Sequence, residues 1–280
     1  MARYRAVIAY EGGAYHGFQR LRGTAAAPTV QGVLEAALAH LTGQMITIVA
    51  AGRTDSGVHA SGQVIAFDLV WRHSEAALQN ALNAALPNDI AVLHLARAAD
   101  DFHPRYQAAQ RTYEYRVYFA AVRQPLLARS HWRIAPPCDL ALMNNAAALL
   151  IGQHDFASFG TPPLGERGTT QRCVFAAAWQ ALPDQFGVPC AVFRITADAF
   201  LYRMVRAIVG SLAAVGQGKL SLAAFEAAFR AADRSAIRQL APPHGLTLTE
   251  VTFTETNADS KRENARWSAE DEIQDLHTYP

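Results

Sequence analysis

The chain has 280 residues, 51% hydrophobic and 18% charged, with a net charge of +1. That is enough apolar sequence for one or two packed domains and too little net charge for a disordered chain. Its three cysteines, Cys138, Cys173 and Cys190, form no C-x-x-C pair, which excludes a disulfide framework or a cysteine zinc site. Met1–Arg5 lacks the apolar run of a signal peptide, and no apolar stretch reaches the roughly 18 residues of a membrane span. A cytoplasmic protein with no membrane contact is therefore expected.

In chain order, Tyr4–Tyr10 alternates as a strand. Thr29 caps a helix bearing Val30, Val33, Leu34, Ala37, Leu38 and Leu41. Gln44–Ala50 and Gln63–Asp68 read as strands. Ser74 caps a helix with Leu78, Ala81, Leu82 and Ala85, stopped by Pro87, and Ile90–Leu95 is a further strand. The second half repeats the order without repeating the residues. Thr112–Phe119 is a strand, and Asp139 caps a helix with Leu142, Met143, Ala146, Leu149 and Leu150. Cys173–Ala181 and Val188–Thr196 form a hairpin around Pro183–Gly187. Phe200–Val215 and Ser221–Ala232 are helical, and Leu246–Phe253 is the last strand. Two β-α-β-β-α-β series predict an α+β fold. Two ferredoxin-like domains, residues 1–105 and 106–254, would have largely antiparallel sheets and a cleft between them.

Residues 255–280 carry seven acidic and three basic side chains. They read as a loosely ordered acidic tail and leave +5 on the rest of the chain. All basic residues but Lys219 and Lys261 are arginine, whose planar fork suits phosphate and base recognition.

The chemistry-bearing residues concentrate in Gly52-Arg53-Thr54-Asp55-Ser56-Gly57-Val58-His59, between two expected strands. Flanking glycines let such a loop hold Asp55 close to backbone at a cleft floor. Asp-Ser-Gly is equally ordinary turn chemistry. Asp55 and His59 have no further ligand pair at metal spacing, so no metal is expected. Arg206 interrupts the apolar run Met204-Val205 and Ala207-Ile208-Val209. A buried arginine needs an acidic partner, and Asp55 is a candidate. Tyr113 and Tyr115 are, by default, core aromatics of their strand.

The chain resembles the bacterial tRNA pseudouridine synthase A family. The motifs that carry the resemblance are the Gly52–Ala60 loop, Tyr10-Glu11-Gly12 through Tyr15-His16-Gly17-Phe18-Gln19, Thr29-Val30-Gln31, and Leu86-Pro87-Asn88-Asp89-Ile90. They continue with Asp101–Tyr106, Arg111-Thr112-Tyr113-Glu114-Tyr115, His154–Phe159, Met204–Gly210 and Gly245-Leu246. Glu11, Phe18 and Ser56 stand where the family usually has Asp, Trp and Ala.

The resemblance implies two ferredoxin-like domains, a homodimer, and isomerisation of uridine to pseudouridine at positions 38, 39 and 40 of the tRNA anticodon stem-loop, without cofactor or metal. It implies Asp55 as the catalytic carboxylate, Arg206 as its partner, and Tyr113 stacked on the flipped uracil. Substrate contacts are expected from Tyr113, Arg53, Leu246, Gln63 and His59. Arg20, Arg22, Arg123 and Arg129 offer contacts to phosphate. The alternative is a non-catalytic RNA-binding module of the same fold, against which the intact Asp55, Tyr113 and Arg206 set argues.

Overall fold

The computed structural model describes residues 1–20, 28–161, 169–237 and 239–253. The acidic tail and Arg22 lie outside the described residues. Within them, the first half runs β1 (Ala2–Tyr10), α1 (Val30–Thr42), β2 (Val49–Ala50), β3 (His59–Leu69), α2 (Glu75–Ala85) and β4 (Ile90–Arg97). The second runs β5 (Ala108–Phe119), β6 (Trp132–Ile134), α3 (Leu140–Ala148), β7 (Gly152–Asp155), β8 (Gln171–Gln185) and β9 (Val188–Ala197). It ends with α4 (Met204–Gly216), α5 (Leu222–Arg230) and β10 (Leu246–Phe253). The class is α+β, with one large open sheet and, among the described residues, five α-helices.

The ten strands form a single sheet in the order β4-β1-β3-β10-β5-β9-β8-β7, with β2 beside β3 and β6 beside β5. All pairs are antiparallel except β10 with β3 and β6 with β5. One edge of β3 is taken by β1. The other is shared, by β2 at Ala66 and Ile65 and by β10 at Ala60 and His59. The join between the halves is thus a short parallel contact made by the last strand of the described residues. Helices α1 and α2 pack on each other and α2 on β4, while α3 packs on β8, α4 and α5. One apolar core runs through both halves, from Tyr4, Leu34 and Phe67 to Met143, Phe193 and Ile208.

The local signals act as their chemistry requires. The side chains of Thr29, Ser74 and Asp139 accept N–H groups from the first turns of α1, α2 and α3. The hairpin turns at Phe186-Gly187, with φ of 51° and 75°, a tighter turn than the five residues expected from sequence. Two other expectations are corrected. The strand expected at Gln44–Ala50 shrinks to Val49–Ala50, because the N–H of Ile48 donates to the buried Glu35 carboxylate rather than to a strand. The helix expected from Phe200 begins at Met204, because Arg203 takes a left-handed φ of 62°. Strands β6 and β7, only three and four residues long, carry too few positions to show a period.

Gly62 lies where β3 and β10 come closest. A Cβ on it would sit 2.0 Å from the Thr249 carbonyl oxygen, closer than any packing allows. Gly62→Ala should therefore pry β10 from β3 and lower stability by about 1–3 kcal/mol or more, as overpacking does. A denaturant midpoint unchanged from wild type would show that the seam tolerates the separation.

Candidate active site

The loop between β2 and β3 is shaped by its own backbone. The N–H of Val58 donates to the Asp55 carbonyl at 3.1 Å, and Gly57 supplies the positive φ of 78° that the turn needs. The 10–20 segment then ties the turn down. The N–H of Phe18 donates to the Thr54 carbonyl at 3.1 Å, and the Ser56 hydroxyl to the Tyr15 carbonyl at 3.2 Å. Tyr15 is anchored in turn by donating its hydroxyl to Asp89 at 2.6 Å.

The second half brings the counter-charge. Arg206, in the first turn of α4, donates from Nη1 to Asp55 Oδ2 at 2.9 Å. Its Nε donates to the Ala241 carbonyl at 2.9 Å, and the Ala241 N–H returns to the Arg206 carbonyl at 3.0 Å. The guanidinium is thus aimed by one neighbour and used on another. The Asp55 side chain keeps 19% of its surface exposed, so the carboxylate faces an opening rather than a sealed core.

Tyr113 stands on β5 with Phe200 edge-on to its ring, centroids 5.0 Å apart. Burial pushes its phenol well above the ordinary range. The Tyr10 phenol and the Asp55 carboxylate add to the rise, and the Arg111 guanidinium opposes it. Tyr113 is therefore a protonated phenol near neutral pH. Leu246 is buried at the start of β10, opposite Tyr115, with Leu248 opposite Tyr113. Arg53 is exposed and makes no hydrogen bond or ion pair among the described residues. The structure thus gathers Asp55 and Arg206, couples Tyr113 electrostatically to Asp55, and leaves Arg53 at the surface of the loop.

Gln63 and His59 lie elsewhere. Gln63 is fully buried and donates from Nε2 to the Gly52 carbonyl at 3.0 Å. A carbonyl only accepts, so this contact fixes which way the amide faces. Its Oε1 is buried without a hydrogen-bond partner among the described residues. His59 accepts the N–H of Gly12 on Nδ1 at 3.0 Å, and its Nε2 faces the carbonyls of His244 at 2.9 Å and Arg129 at 3.0 Å. Those partners define a neutral imidazole protonated on Nε2. The Glu11 carboxylate 3.6 Å from Nδ1 is then no salt bridge, since that nitrogen carries no proton. Both side chains clamp backbone beneath the loop.

Sequence reasoning missed two further supports. Arg111 donates to the carbonyls of Ala51, Arg105, Ala108 and Asp198, holding the entry to the loop. Tyr10 meets the Thr54 hydroxyl at 2.8 Å. Both occur in motifs noted from the sequence, but only the fold places them under Asp55. Among the described residues no group of three or more His, Cys, Asp or Glu side chains is placed to hold a metal ion. Nor is any helix among them long and apolar enough to cross a membrane.

A protein family described as tRNA pseudouridine synthase matches residues 6–107 and 146–254. The tRNA pseudouridine synthase A of Moorella thermoacetica is 42% identical over 246 residues, covering 88% of this chain and 97% of that protein. That of Rhodospirillum rubrum is 39% identical over 268 residues, covering 93% and 91%. That of Rhizobium meliloti is 38% identical over 262 residues, covering 90% and 100%.

Two outcomes follow from the site's construction. Arg206→Met should lower the unfolding free energy by about 1.5–3 kcal/mol, the range for hydrogen bonds to charged groups. Combined with Asp55→Asn, it should cost less than the two single changes together, since they share one interaction. Strict additivity in chemical denaturation would separate the two residues.

The second concerns His131, which is 4% exposed and lies near Arg116 and His244. Burial, with Arg116 and His244 adding, pushes its pKa down to about 4. Between that value and the ordinary one of about 6.5 the unfolded chain binds a proton that the folded chain refuses. Stability should therefore fall as pH drops through this window, by up to about 1.4 kcal/mol per pH unit. His131→Gln should flatten the slope of urea midpoint against pH; an unchanged slope would assign it to other groups.

Proposed function

The chain belongs to the tRNA pseudouridine synthase family, and we propose that it acts on uridines 38, 39 and 40 of the tRNA anticodon stem-loop through the Asp55 carboxylate. It is an isomerase of tRNA uridine. The observation that carries the site assignment is the half-buried Asp55 carboxylate paired with Arg206 at 2.9 Å, electrostatically coupled to the Tyr113 phenol.

The reaction breaks the N1–C1′ bond, turns the uracil, and joins C5 to C1′. The C5 proton leaves, N1 gains one, and nothing is oxidised or reduced. Asp55 opens the sequence as an anion, at C1′, at C6 of the base, or by assisting a glycal route. Arg206 orients it and holds the charge. Tyr113 stacks on the flipped base. Being protonated, it takes the C5 proton only by passing its own onward in the same step, and the Asp55 carboxylate is an acceptor coupled to it. Leu246 forms an apolar wall that helps exclude water from the exposed ring fragment. Arg53 holds the nucleotide or its phosphate. His59 and Gln63 serve substrate indirectly, by fixing the loop.

The strand orders support two ferredoxin-like units. β4-β1-β3-β2 and β10-β5-β9-β8 each run fourth, first, third, second, with β6 and β7 added to the later unit. We assign the domains to residues 1–105 and 106–254, with 255–280 as the acidic tail, and the working form to a cytoplasmic homodimer. The exposed arginines Arg20, Arg53, Arg123 and Arg129 suit phosphate contacts, so tRNA binding should weaken steeply with salt.

Incubation with an unmodified tRNA transcript followed by pseudouridine mapping tests the reading. Product is expected at positions 38–40, with none from Asp55→Asn although that variant still binds tRNA. Tyr113→Phe keeps the stacking ring and should bind tRNA but stall. Product elsewhere would move the substrate assignment. Turnover by Asp55→Asn at more than a small fraction of the wild-type rate would remove Asp55 from the chemistry.

A further inference from the structure

We propose that Tyr10 is a positioning residue for the reaction, fixing the Asp55 carboxylate through its hydrogen bond to Thr54. The inference rests on the reading of Asp55 as the reacting group. Tyr10 is the last residue of β1 and is 4% exposed. Strand β1 keeps its alternation to the end, so Tyr10 falls on the same buried face as Tyr4, Ala6 and Ile8. The extra residue of the pairing lies on β3, where Ile8 is opposite Gln63 but Tyr10 is opposite Ala60. The ring lies under the loop, tilted against Phe18 with centroids 6.2 Å apart, and its hydroxyl is 2.8 Å from Thr54 Oγ1.

The hydroxyl keeps its proton. Burial pushes the phenol up to about 12, with hydrogen bonding to Thr54 and Gln63 pulling the other way. Gln63, itself fully buried, separately holds the Gly52 carbonyl, so the loop is gripped from below at Gly52 and at Thr54. The Asp55 carboxylate has one hydrogen-bonding side chain, Arg206, on one of its two oxygens among the described residues. The Asp55 backbone is held on one side by the Val58 N–H and on the other, through the peptide bond, by Thr54. That residue is pinned by Phe18 N–H on its carbonyl and by Tyr10 on its side chain. Removing the phenol hydroxyl frees Thr54 to rotate and swings the carboxylate, while every other substrate-facing group stays in place.

Tyr10→Phe is therefore expected to lower kcat by about ten- to a hundredfold, the cost of a displacement of about 1 Å at a reacting atom. KM for tRNA should stay within about twofold, because a group acting only on the reacting geometry changes kcat and not ground-state binding. The deciding measurement is a double-mutant cycle with Thr54→Val. If Tyr10 acts through Thr54, Tyr10→Phe/Thr54→Val turns over no more slowly than the slower single variant. Thr54→Ser, which restores the hydroxyl lost in Thr54→Val, should recover most of the rate. Wild-type kcat in Tyr10→Phe, independent losses that multiply in the double variant, or a loss that tracks the unfolded fraction in a melt would overturn the proposal. Wild-type protein and Asp55→Asn run in parallel keep the two readings apart. A wild type that makes no pseudouridine fails the functional reading, whereas an active wild type, a dead Asp55→Asn and a normal Tyr10→Phe fail this one alone.

Discussion

The ion pair between Asp55 and Arg206 joins residues 151 positions apart in the chain. Its two ends come from different kinds of element. Asp55 lies in a loop with little regular structure, whereas Arg206 lies in a helix buried along most of its length. The rigid partner therefore disciplines the soft one. An arginine inside an apolar helix is costly to bury unless its donors are met, and here they are met at Asp55 and at the Ala241 carbonyl. The helix can carry the charge only because the loop receives it, and the loop keeps its carboxylate aimed only because the helix supplies the charge.

The loop also draws on both halves of the sheet. Tyr10, Tyr15, Phe18 and Gln63 hold it from the first half, and Arg111 reaches it from the second through the Ala51 carbonyl. His59, at the first residue of β3, ties Gly12 to the carbonyls of Arg129 and His244. These contacts lie below the Asp55–Arg206 pair. They convert a segment of small and polar residues, which alone would sample many conformations, into one of fixed shape. The geometry of the loop is a property of the packing beneath it as much as of the residues it exposes.

The sequence made much of this legible, and unevenly. Helix starts were readable because Thr29, Ser74 and Asp139 are short side chains that satisfy free N–H groups, a requirement met within one turn of chain. The Asp55–Arg206 pair was readable because a charge in an apolar helix demands an opposite charge. His59 and Gln63 hold backbone beneath the loop, through N–H and carbonyl partners that every residue has and that leave no signal in sequence. The strand expected at Gln44–Ala50 was shortened by the same blindness, since a distant carboxylate, Glu35, takes an N–H that a strand would need. Arg111 and Tyr10 carry no local signal of a supporting role. That role depends on a long-range approach, to the Ala51 carbonyl and to the Thr54 hydroxyl.

The parallel contact of β10 with β3 has a consequence for the order of assembly. Chains are made and begin to fold from the N-terminus, yet the strand that lies between the two halves is the last of the ten to be synthesised. β1 to β4 have their mutual partners early, and β5, β8 and β9 have theirs soon after, but neither set touches the other through the sheet until Leu246–Phe253 arrives. Loop and helix, carboxylate and guanidinium, are all present in the nascent chain well before they are in register. The continuous sheet that joins the two halves is therefore closed only when Leu246–Phe253 takes its place between β3 and β5.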